Sequence, residues 1–333
     1  MKTKETLLKI LVNNKGRFIS GETLSEKLKI SRSAVWKHIA GLRKEGYVIS
    51  AVSRRGYKMG VYQDVFNRCA IASQLNSTVL GSNLIFCDEI DSTNNELKRL
   101  AANGAAEGTV VVAETQLSGR GRRGRAWNSK PNLGIYMSVL LKPDIAPENV
   151  QVITLAASSA VCNAIMPFID IKPGIKWPND ILIENRKVCG ILTEMTAEPE
   201  KIHSVVVGIG INVNHEEDDF CGELKNTAAS LRCFSKSDIS RSMLTARVLE
   251  EFEKLYLDFI KNKSTDRFLN IWRSFSVTIG YDIIIYQGDK TIKAKALDVM
   301  DNGCLLVQTQ DGGRQLISSG EVSVQVPQNG KNQ

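Results

Sequence analysis

The sequence predicts an α+β protein built in three parts, and three observations carry this prediction. Short helical segments and two strand-like runs occupy a strongly basic stretch at the N-terminus. From about residue 64, strand-like and helix-like segments alternate, which is typical of an α/β domain with a mixed sheet. From Val277, short strands are separated by glycine-containing turns, which is typical of a small β-barrel. We therefore expect domains at residues 1–62, 63–275 and 276–326.

The composition places the chain among ordinary globular proteins. Of 333 residues, 43% are hydrophobic and 24% are charged. Apolar runs such as Val110–Ala113 are far shorter than the roughly 20 residues that a membrane span needs. The N-terminal residues lack the apolar region of a signal peptide. Seven cysteines, an odd number, form no CxxC pair. We expect a cytoplasmic protein with reduced thiols and without zinc or disulfides.

The positive charge is confined to one segment. Residues 1–60 hold 14 Lys and Arg against four Glu and no Asp, which gives +10. Because the whole chain carries +7, the remainder is slightly acidic. Such asymmetry indicates a polyanionic partner, such as nucleic acid, for that segment alone.

The basic segment has the pattern of a helix-turn-helix. Helices are predicted at 4–13 and 20–28, and a third runs from the cap residue Ser31 to about Lys44. On the third helix, apolar side chains recur at helical spacing and leave a basic face outside. The strand-like runs 46–50 and 54–58 then suggest a basic wing.

The segment as a whole resembles a winged helix-turn-helix DNA-binding domain. The alternative is a small helical domain with a solvated basic face. If the segment binds DNA, the first turn of its third helix enters the major groove, and the wing contacts phosphate. The residues expected to contact DNA are Arg32, Ser33, Trp36 and Lys37 near the bases, and Arg54 and Arg55 at the backbone.

Residues 119–127 form the most distinctive stretch, with three glycines and four arginines in nine residues. Glycines let the backbone approach a ligand, and arginines supply forked donors for phosphate or carboxylate. The stretch matches the GxGxxG dinucleotide fingerprint, but that motif requires a helix to follow at once. Because 132–141 alternates like a strand, we reject a dinucleotide site here.

The central segment also contains polar residues and glycines at the ends of predicted helices and strands and within them. Thr93 and Glu96 have capping-box spacing, so Ser92 and Thr93 are predicted as a plain helix cap. Pro178 stops regular structure, so Asn179 and Asp180 are expected at the entry to a strand. The following hairpin carries Lys187 in a strand. The buried strand at 205–213 contains two glycines, which favours close approach of a ligand or another backbone.

The last part of the chain begins with helices at 240–261 and 266–274. Strands follow at 282–286, 291–299, 305–308 and 315–318, joined by glycine turns. The three histidines lie away from any candidate nucleophile, so neither a Ser-His-Asp triad nor a histidine or cysteine metal site is expected.

Four motifs together resemble the biotin–protein ligases. They are Gly119–Gly124, Lys176–Asp180, Arg186–Leu192 and Gly208–Asn212, in the order and spacing of that family. With the N-terminal domain, residues 5–325 resemble its bifunctional bacterial form, the biotin–[acetyl-CoA-carboxylase] ligase that is also the biotin-operon repressor. The resemblance implies a central class II synthetase-like ligase domain and an SH3-like C-terminal barrel.

The resemblance also implies a reaction and partners. Biotin and ATP, with Mg²⁺, give biotinyl-5′-AMP, and biotin then passes to a lysine of a biotin carrier domain such as that of acetyl-CoA carboxylase. Biotinyl-AMP is further expected to act as co-repressor, promoting a homodimer that binds operator DNA of biotin synthesis or transport genes.

The family assigns roles to residues of this chain. Lys187, Arg122 and Asp180 correspond to catalytic residues, and Asp180 is either a Mg²⁺ ligand or an acceptor for the incoming lysine's proton. The chain departs from some relatives in one respect, since residues 214–229 contain no Trp to cover the adenine, and Phe220 or Leu231 is expected to do so instead. The expected biotin contacts are Ser92, Thr93, Gln116, Gly119, Arg120, Arg122, Lys187, Gly190 and Gly208. The expected adenylate contacts are Arg120, Arg122, Trp127, Lys176, Asn179 and Asn212.

Two other functions are compatible with the fold. One is a transcription regulator whose ligase-like domain only senses a ligand. The other is a ligase for lipoate or octanoate. The intact Lys187 argues against the first, and the Lys176–Asp180 motif favours biotin over the second.

Overall fold

The computed structural model describes residues 2–60, 64–288 and 290–325. The chain divides into two compact units. The first consists of the residues up to Asn76 together with Ile239–Arg247, and the second of Ser77–Asp238 and the residues from Val248 onward. Most of the predicted ligase segment and the C-terminal segment therefore belong to one unit, but residues up to 76 and 239–247 belong to the other. The predicted boundary at 62/63 lies outside the described residues.

The first unit contains the predicted helix-turn-helix and its wing. Ser20 and Ser31 each cap a helix, and each side chain accepts a backbone N–H three residues on, as expected of N-caps. Leucines of the first helix and apolar residues of the third form its core. Its elements are α1 Lys2–Asn13, α2 Gly21–Leu28, α3 Arg32–Lys44, β1 Ile49–Val52, β2 Gly56–Met59 and α4 Arg68–Gln74.

The wing strands lie slightly later than predicted. Gly56 has φ +98°, and a Cβ there would lie 2.0 Å from the Ile19 carbonyl oxygen. This glycine lets Tyr57 exchange two backbone hydrogen bonds of 2.8 Å with Ile19. The contact fixes where β2 begins.

The first unit extends beyond residue 62 because α4 contributes Ala70 to its core. Asp64 accepts hydrogen bonds from the backbone N–H and the guanidinium of Arg241, whose side chain is only 2% exposed. The Arg241 guanidinium also lies 4.4 Å from the centre of the Phe66 ring. These contacts explain why 239–247 belongs to this unit.

The second unit contains the predicted mixed sheet. Its strands pair in the order β3-β4-β5-β9-β8-β7-β6, with β3 and β4 parallel and the other neighbours antiparallel. The short strand β6 was not predicted. The bounds are β3 Asn83–Ile90, β4 Thr109–Gln116, β5 Gly134–Leu141, β6 Gly174–Lys176, β7 Asp180–Ile183, β8 Arg186–Glu198 and β9 Lys201–Asn212.

Helices flank this sheet. The segment Pro147–Phe168 has the length and hydropathy of a membrane span, yet 72% of its 18-residue apolar window is buried inside the protein. It contacts β8 and a later helix, as a core helix does. The helices are α5 Thr93–Ala102, α6 Gln151–Ile165, α7 Leu224–Thr227, α8 Arg241–Asn262 and α9 Asp266–Phe275.

The C-terminal strands form a five-stranded antiparallel sheet in the order β13-β12-β11-β10-β14. The last strand was not predicted, and it pairs with the first of this sheet. The bounds are β10 Asp282–Gln287, β11 Lys290–Val299, β12 Leu305–Thr309, β13 Arg314–Ile317 and β14 Glu321–Gln325.

Candidate active site

A cavity of about 740 Å³ lies in the second unit, beside β5, β9 and the β7–β8 hairpin. The sequence motifs that lie far apart along the chain meet here. The predicted ligase residues that line it are Ser92, Thr93, Gln116, Arg120, Arg122, Trp127, Lys176, Asn179, Asp180, Lys187, Gly190, Gly208 and Asn212.

Gly119 is the one predicted ligase residue outside this lining. A Cβ on Gly119 would lie 2.7 Å from the Trp127 carbonyl oxygen and 3.0 Å from Gln116 Nε2. The Gly119 carbonyl accepts the Trp127 N–H at 2.9 Å. This glycine therefore shapes the base of the Gly/Arg loop, defined as residues 119–127, from behind.

The Gly/Arg loop contains a single 3₁₀ turn at Arg122–Gly124, and the element that follows it is strand β5. The strand predicted after the loop is thus confirmed, in the place where a dinucleotide fingerprint needs a helix. Within the loop, Arg123 has φ +56°. Such a conformation is uncommon for a residue with a side chain and tightens the turn.

The loop's arginines have different partners. The Arg122 guanidinium donates to Asn179 Oδ1 at 3.3 Å, and burial lowers its pKa. Arg123 donates to the Tyr286 carbonyl at 2.8 Å, and Arg125 forms a two-bond pair with Glu321 at 2.6 and 2.9 Å. Residues of the C-terminal sheet thus bind the loop through Arg123 and Arg125.

A β-bulge aims Lys187 at the cavity. Asp180 pairs with Gly190 and Ile181 with Cys189, but Leu182 then pairs with Lys187, so Val188 is the extra residue. Because facing residues of a hairpin share a face, the bulge brings Lys187 and Gly190 to the same side although they are three apart.

Asp180 lies between two ammonium groups. Its Oδ1 is 2.6 Å from Lys187 Nζ, and its Oδ2 is 3.7 Å from Lys176 Nζ. The Lys187 ammonium also lies 5.5 Å from the centre of the Trp127 ring, within the range of a cation–π contact. The single negative charge of Asp180 therefore faces the two positive charges of Lys176 and Lys187. With Arg122 also in the lining, this part of the cavity keeps an excess of positive charge.

Two glycines form the surface on which Trp127 lies. A Cβ at Gly210 would lie 2.6 Å from Trp127 Cε2, and one at Gly190 would lie 3.0 Å from Trp127 Cζ3. The buried Trp127 indole N–H has no hydrogen-bond partner among the described residues. Glycine in these strands thus admits an aromatic side chain, whereas the predicted partner of the 205–213 glycines was a ligand or another backbone.

The predicted helix cap at Ser92 and Thr93 is confirmed in position but not in its hydrogen bonding. Ser92 is the N-cap residue of α5, but its side chain makes no capping hydrogen bond. Thr93 lies one position inside the helix, and its backbone N–H and hydroxyl both approach Gln116 Oε1, at 2.9 and 3.1 Å. These two groups of Thr93 therefore bind Gln116 of strand β4 at the cavity and do not cap the helix.

Sequence reasoning missed a buried polar network at this end of the cavity. Ser138 lies on β5 with no exposed surface, 2.6 Å from Thr93 Oγ1 and 2.5 Å from Asn94 Oδ1. Asn94 Nδ2 donates to Glu194 Oε2 at 2.7 Å. A serine within the apolar run of β5 was the available signal. Gly208 belongs here too, since a Cβ on it would lie 2.3 Å from Asn94 Oδ1.

Within the described residues, no group of three or more His, Cys, Asp or Glu side chains could hold a metal ion. Asp180, the predicted Mg²⁺ ligand, faces two lysines instead. Of the two candidates for covering the adenine, Phe220 lines the cavity and stacks on His215 with ring centres 5.4 Å apart. Leu231 has no exposed surface and lies outside the lining.

The predicted DNA contacts lie on the surface of the first unit. Arg32, Ser33 and Lys37 are exposed on α3, and the Trp36 side chain is 59% exposed. The last two, Arg54 and Arg55, are exposed in the turn between β1 and β2.

Known families match each part of the chain. A model of the biotin/lipoate A/B protein ligase family matches residues 86–212. A helix-turn-helix domain model matches 3–58, and a model of the biotin protein ligase C-terminal domain matches 278–325.

Individual relatives match nearly the whole chain. The bifunctional ligase/repressor BirA of Bacillus spizizenii is 42% identical over 95% of this chain and 97% of its own, and that of Escherichia coli is 29% identical over 96% of each. A biotin protein ligase from Aquifex aeolicus, solved with biotin and ATP, covers 73% of this chain and 99% of its own, with 32% identity and a TM-score of 0.63. The chain belongs to the biotin–protein ligases, in the bifunctional ligase/repressor form that carries an N-terminal helix-turn-helix.

Proposed function

We propose that this protein activates biotin with ATP, transfers it to a lysine of a biotin carrier domain, and represses transcription in response to the same ligand. The observation that carries the ligase half is the meeting of Lys187, Asp180 and Arg122 in one cavity with the hydrogen-bonding groups at Thr93. The end of the cavity at Lys187 and Arg122 suits an anionic reacting group, and the end at Thr93 suits a polar ring.

In the first step, a carboxylate oxygen of biotin attacks the α-phosphorus of ATP, and pyrophosphate leaves with the bonding electron pair. Both reactants are anions, so the reaction needs fixed cations at the point where they meet. Lys187 and Arg122 supply them. The Trp127 ring beside Lys187 restricts access of water, which strengthens these interactions.

In the second step, the neutral amine of a carrier lysine attacks the acyl carbon of biotinyl-5′-AMP. An amide bond forms, AMP leaves with its phosphate oxygen, and one proton is released. The carrier lysine arrives as an ammonium ion and must lose a proton before it attacks. Asp180 is the carboxylate beside Lys187 in the cavity, and we propose it as the acceptor for that proton, the second of the two roles that the sequence left open.

Mg²⁺ is proposed to enter with ATP. Asp180 is the one carboxylate among the predicted site residues, and its lysine neighbours make it a poor resident metal ligand. Mg²⁺ commonly binds through substrate phosphates with few protein ligands. Bound in this way, it would offset phosphate charge during adenylation.

The remaining biotin and adenylate contacts follow the predicted division. Ser92, Thr93, Gln116 and Gly208 lie at the polar end and would bind the biotin ring, with Gly190 beside Lys187. Arg120, Lys176, Asn179 and Asn212 would contact the adenylate, and Phe220 is placed to cover the adenine.

For repression, the exposed basic face of α3 and the wing would contact operator DNA. The proposed signal is biotinyl-AMP, which favours a homodimer that matches the symmetry of a palindromic operator.

All seven cysteines are unpaired, in keeping with a cytoplasmic protein.

Two measurements test these halves separately. Biotin-dependent exchange of labelled pyrophosphate into ATP is expected, and binding of biotin without exchange would favour the ligand-sensing regulator. Sedimentation with and without biotin and ATP, repeated with candidate operator DNA, is expected to show a dimer that binds DNA only with both ligands. A monomer on DNA under all conditions would refute the proposed coupling.

The lipoate or octanoate ligase is disfavoured by the polar end of the cavity. Thr93 and Gln116 place hydrogen-bonding groups in the cavity lining there. The ring of biotin carries a ureido group that can pair with them, whereas the ends of lipoate and octanoate carry none.

A further inference from the structure

Strand β6 lies at the edge of the seven-stranded sheet, and a segment from much later in the chain covers its outer side. Ile175 pairs in parallel with Ser276, and its carbonyl accepts the Val277 backbone N–H at 3.0 Å. A Cβ on Gly174 would lie 2.3 Å from Val277 Cγ1, so a side chain there would prevent this close approach. The residues that connect α9 to the C-terminal sheet are therefore packed directly against the strand that leads into the Lys176–Asp180 motif.

Trp177, the second residue of this motif, makes two hydrogen bonds to the same part of the chain. Its backbone N–H donates to Thr278 Oγ1 at 2.9 Å, and its indole N–H donates to the Gly303 carbonyl at 3.2 Å. Both directions are fixed by chemistry, because a backbone or indole N–H can only donate. Trp177 and Thr278 have no exposed surface, so bulk water cannot take the place of either partner.

Trp177 separates these two partners from the cavity. Thr278 and Gly303 lie outside the cavity lining, whereas Trp177 and its neighbour Lys176 belong to it. The Trp177 N–H is part of the planar peptide group that begins at the Lys176 Cα, so a shift of this N–H moves the Lys176 main chain with it. The place of the Lys176 ammonium group therefore depends on a hydroxyl that lies outside the cavity.

The other end of the motif is fixed separately. Asn179 Nδ2 donates to the Ile191 carbonyl at 2.8 Å, and the Ile191 N–H donates to the Asn179 carbonyl at 3.0 Å. Asp180 then enters the β7–β8 hairpin. Loss of the Thr278 hydrogen bond would thus displace the Lys176 end of the motif and leave the Asp180 end in place.

We propose that Thr278 is a positioning residue for ATP. Together with the Gly303 carbonyl it holds Trp177, and Trp177 sets the place of Lys176. The proposal rests on the proposed function, in which Lys176 contacts the adenylate. A lysine acts on phosphate as a point charge, so its effect depends on its distance from the phosphate. The residues proposed to bind the biotin ring lie on other elements, so biotin binding should not depend on Thr278.

Thr278→Val tests the proposal, because it keeps the shape of the side chain and removes the oxygen that accepts the Trp177 N–H. We expect the KM for ATP in biotin-dependent pyrophosphate exchange to rise about tenfold. The Kd for biotin, measured by titration calorimetry without ATP, should stay at the wild-type value. Thr278→Ser keeps the acceptor and should restore the wild-type KM. Thr291→Val, a matched change of an exposed threonine in the C-terminal sheet, is the control.

A double-mutant cycle separates this role from a merely structural one. In a Lys176→Met background, which removes the ammonium group, Thr278→Val should change the KM for ATP by less than about twofold. An equal rise of this KM in both backgrounds would overturn the proposal. An unchanged KM for ATP, or a Kd for biotin that rises by the same factor as the KM, would overturn it too.

Trp177→Phe provides a second test if Thr278→Val does not fold, which circular dichroism would show. This change removes the indole bond to the Gly303 carbonyl and keeps the backbone bond to Thr278. It should raise the KM for ATP without changing the Kd for biotin, and the rise should again disappear in Lys176→Met. An unchanged KM, or an equal rise in both backgrounds, would overturn the proposal. A wild-type protein without biotin-dependent exchange would instead overturn the proposed function, so the two failures are distinguishable.

Discussion

Lys187 Nζ lies 2.6 Å from Asp180 Oδ1, across a two-stranded hairpin whose bulge brings both side chains to the cavity. In the proposed reaction Lys187 contacts both anionic reactants. Lys187→Ala should therefore lower the rate of biotin-dependent pyrophosphate exchange by about 100- to 1,000-fold, the usual cost of removing one charge-stabilising donor. Circular dichroism should show an unchanged fold, and Lys201→Ala on the exposed β9 end is the control. Near-normal exchange would remove Lys187 from its role.

The glycine surface under Trp127 predicts a second outcome. In Gly210→Ala, the new methyl group would lie 2.6 Å from Trp127 Cε2, so the indole must move. Overpacking of this kind costs about 1–3 kcal/mol, and we expect it as a raised KM for biotin and ATP. Gly41→Ala is the matched control, because a Cβ there meets nothing within 4 Å. Unchanged kinetics in Gly210→Ala would mean that the position of Trp127 does not matter for binding.

Glu253 predicts a dependence of stability on pH. Its carboxylate accepts the backbone N–H groups of Thr78, Val79 and Leu80 at 2.7–2.8 Å. Burial would raise its pKa, but these amides outweigh burial and hold the pKa below the ordinary value of 4.5. A lowered pKa stabilises the fold above 4.5, and this stabilisation is lost as the pH falls through the folded-state value.

Glu253→Gln should thus lower the free energy of unfolding by about 1–3 kcal/mol at pH 7. The difference from the wild type should shrink below pH 4.5, as measured by urea denaturation across a pH series. Glu251→Gln, which removes a surface pair with Lys254 on the same helix, is the control. A difference that stays constant with pH would contradict this account of Glu253.

The first unit predicts a salt-dependent affinity for DNA. Removing residues 1–60 would also expose the core around Ala70 and Asp64, so point substitutions are the cleaner test. Arg54→Ala, in the exposed wing turn, should reduce the slope of log affinity against log salt by about 1, because one phosphate contact is lost. Trp36→Ala should weaken binding to operator more than to random DNA. An unchanged slope and unchanged discrimination in gel-shift assays would refute the assigned contacts.

The sequence predicted the elements because they depend on local pattern, whereas most of the cavity lining was predicted from the resemblance to the biotin–protein ligases. Short stretches of chain are enough to predict the cap serine Ser31, the strand after the Gly/Arg loop and the hairpin that carries Lys187. The failures depend on long-range geometry. Thr93 was predicted to cap a helix, but its hydroxyl contacts Gln116 on strand β4. A strict two-residue period would put Lys187 and Gly190 on opposite faces, whereas the bulge puts them on the same face. Ser138 became informative only once Asn94 and Glu194 were beside it.

The four tryptophans are distributed so that intrinsic fluorescence can follow the two binding events separately. Trp272 has no exposed surface and lies outside the cavity lining, so it supplies a constant, blue-shifted background. Trp177 is equally buried but lines the cavity. Trp127 lies in the cavity beside Lys187, so its emission should respond to biotin and ATP. Trp36, 59% exposed on α3, should be quenched by acrylamide until DNA covers it. An unlabelled protein thus carries one optical reporter for each ligand, and a titration with both can time the two events against each other.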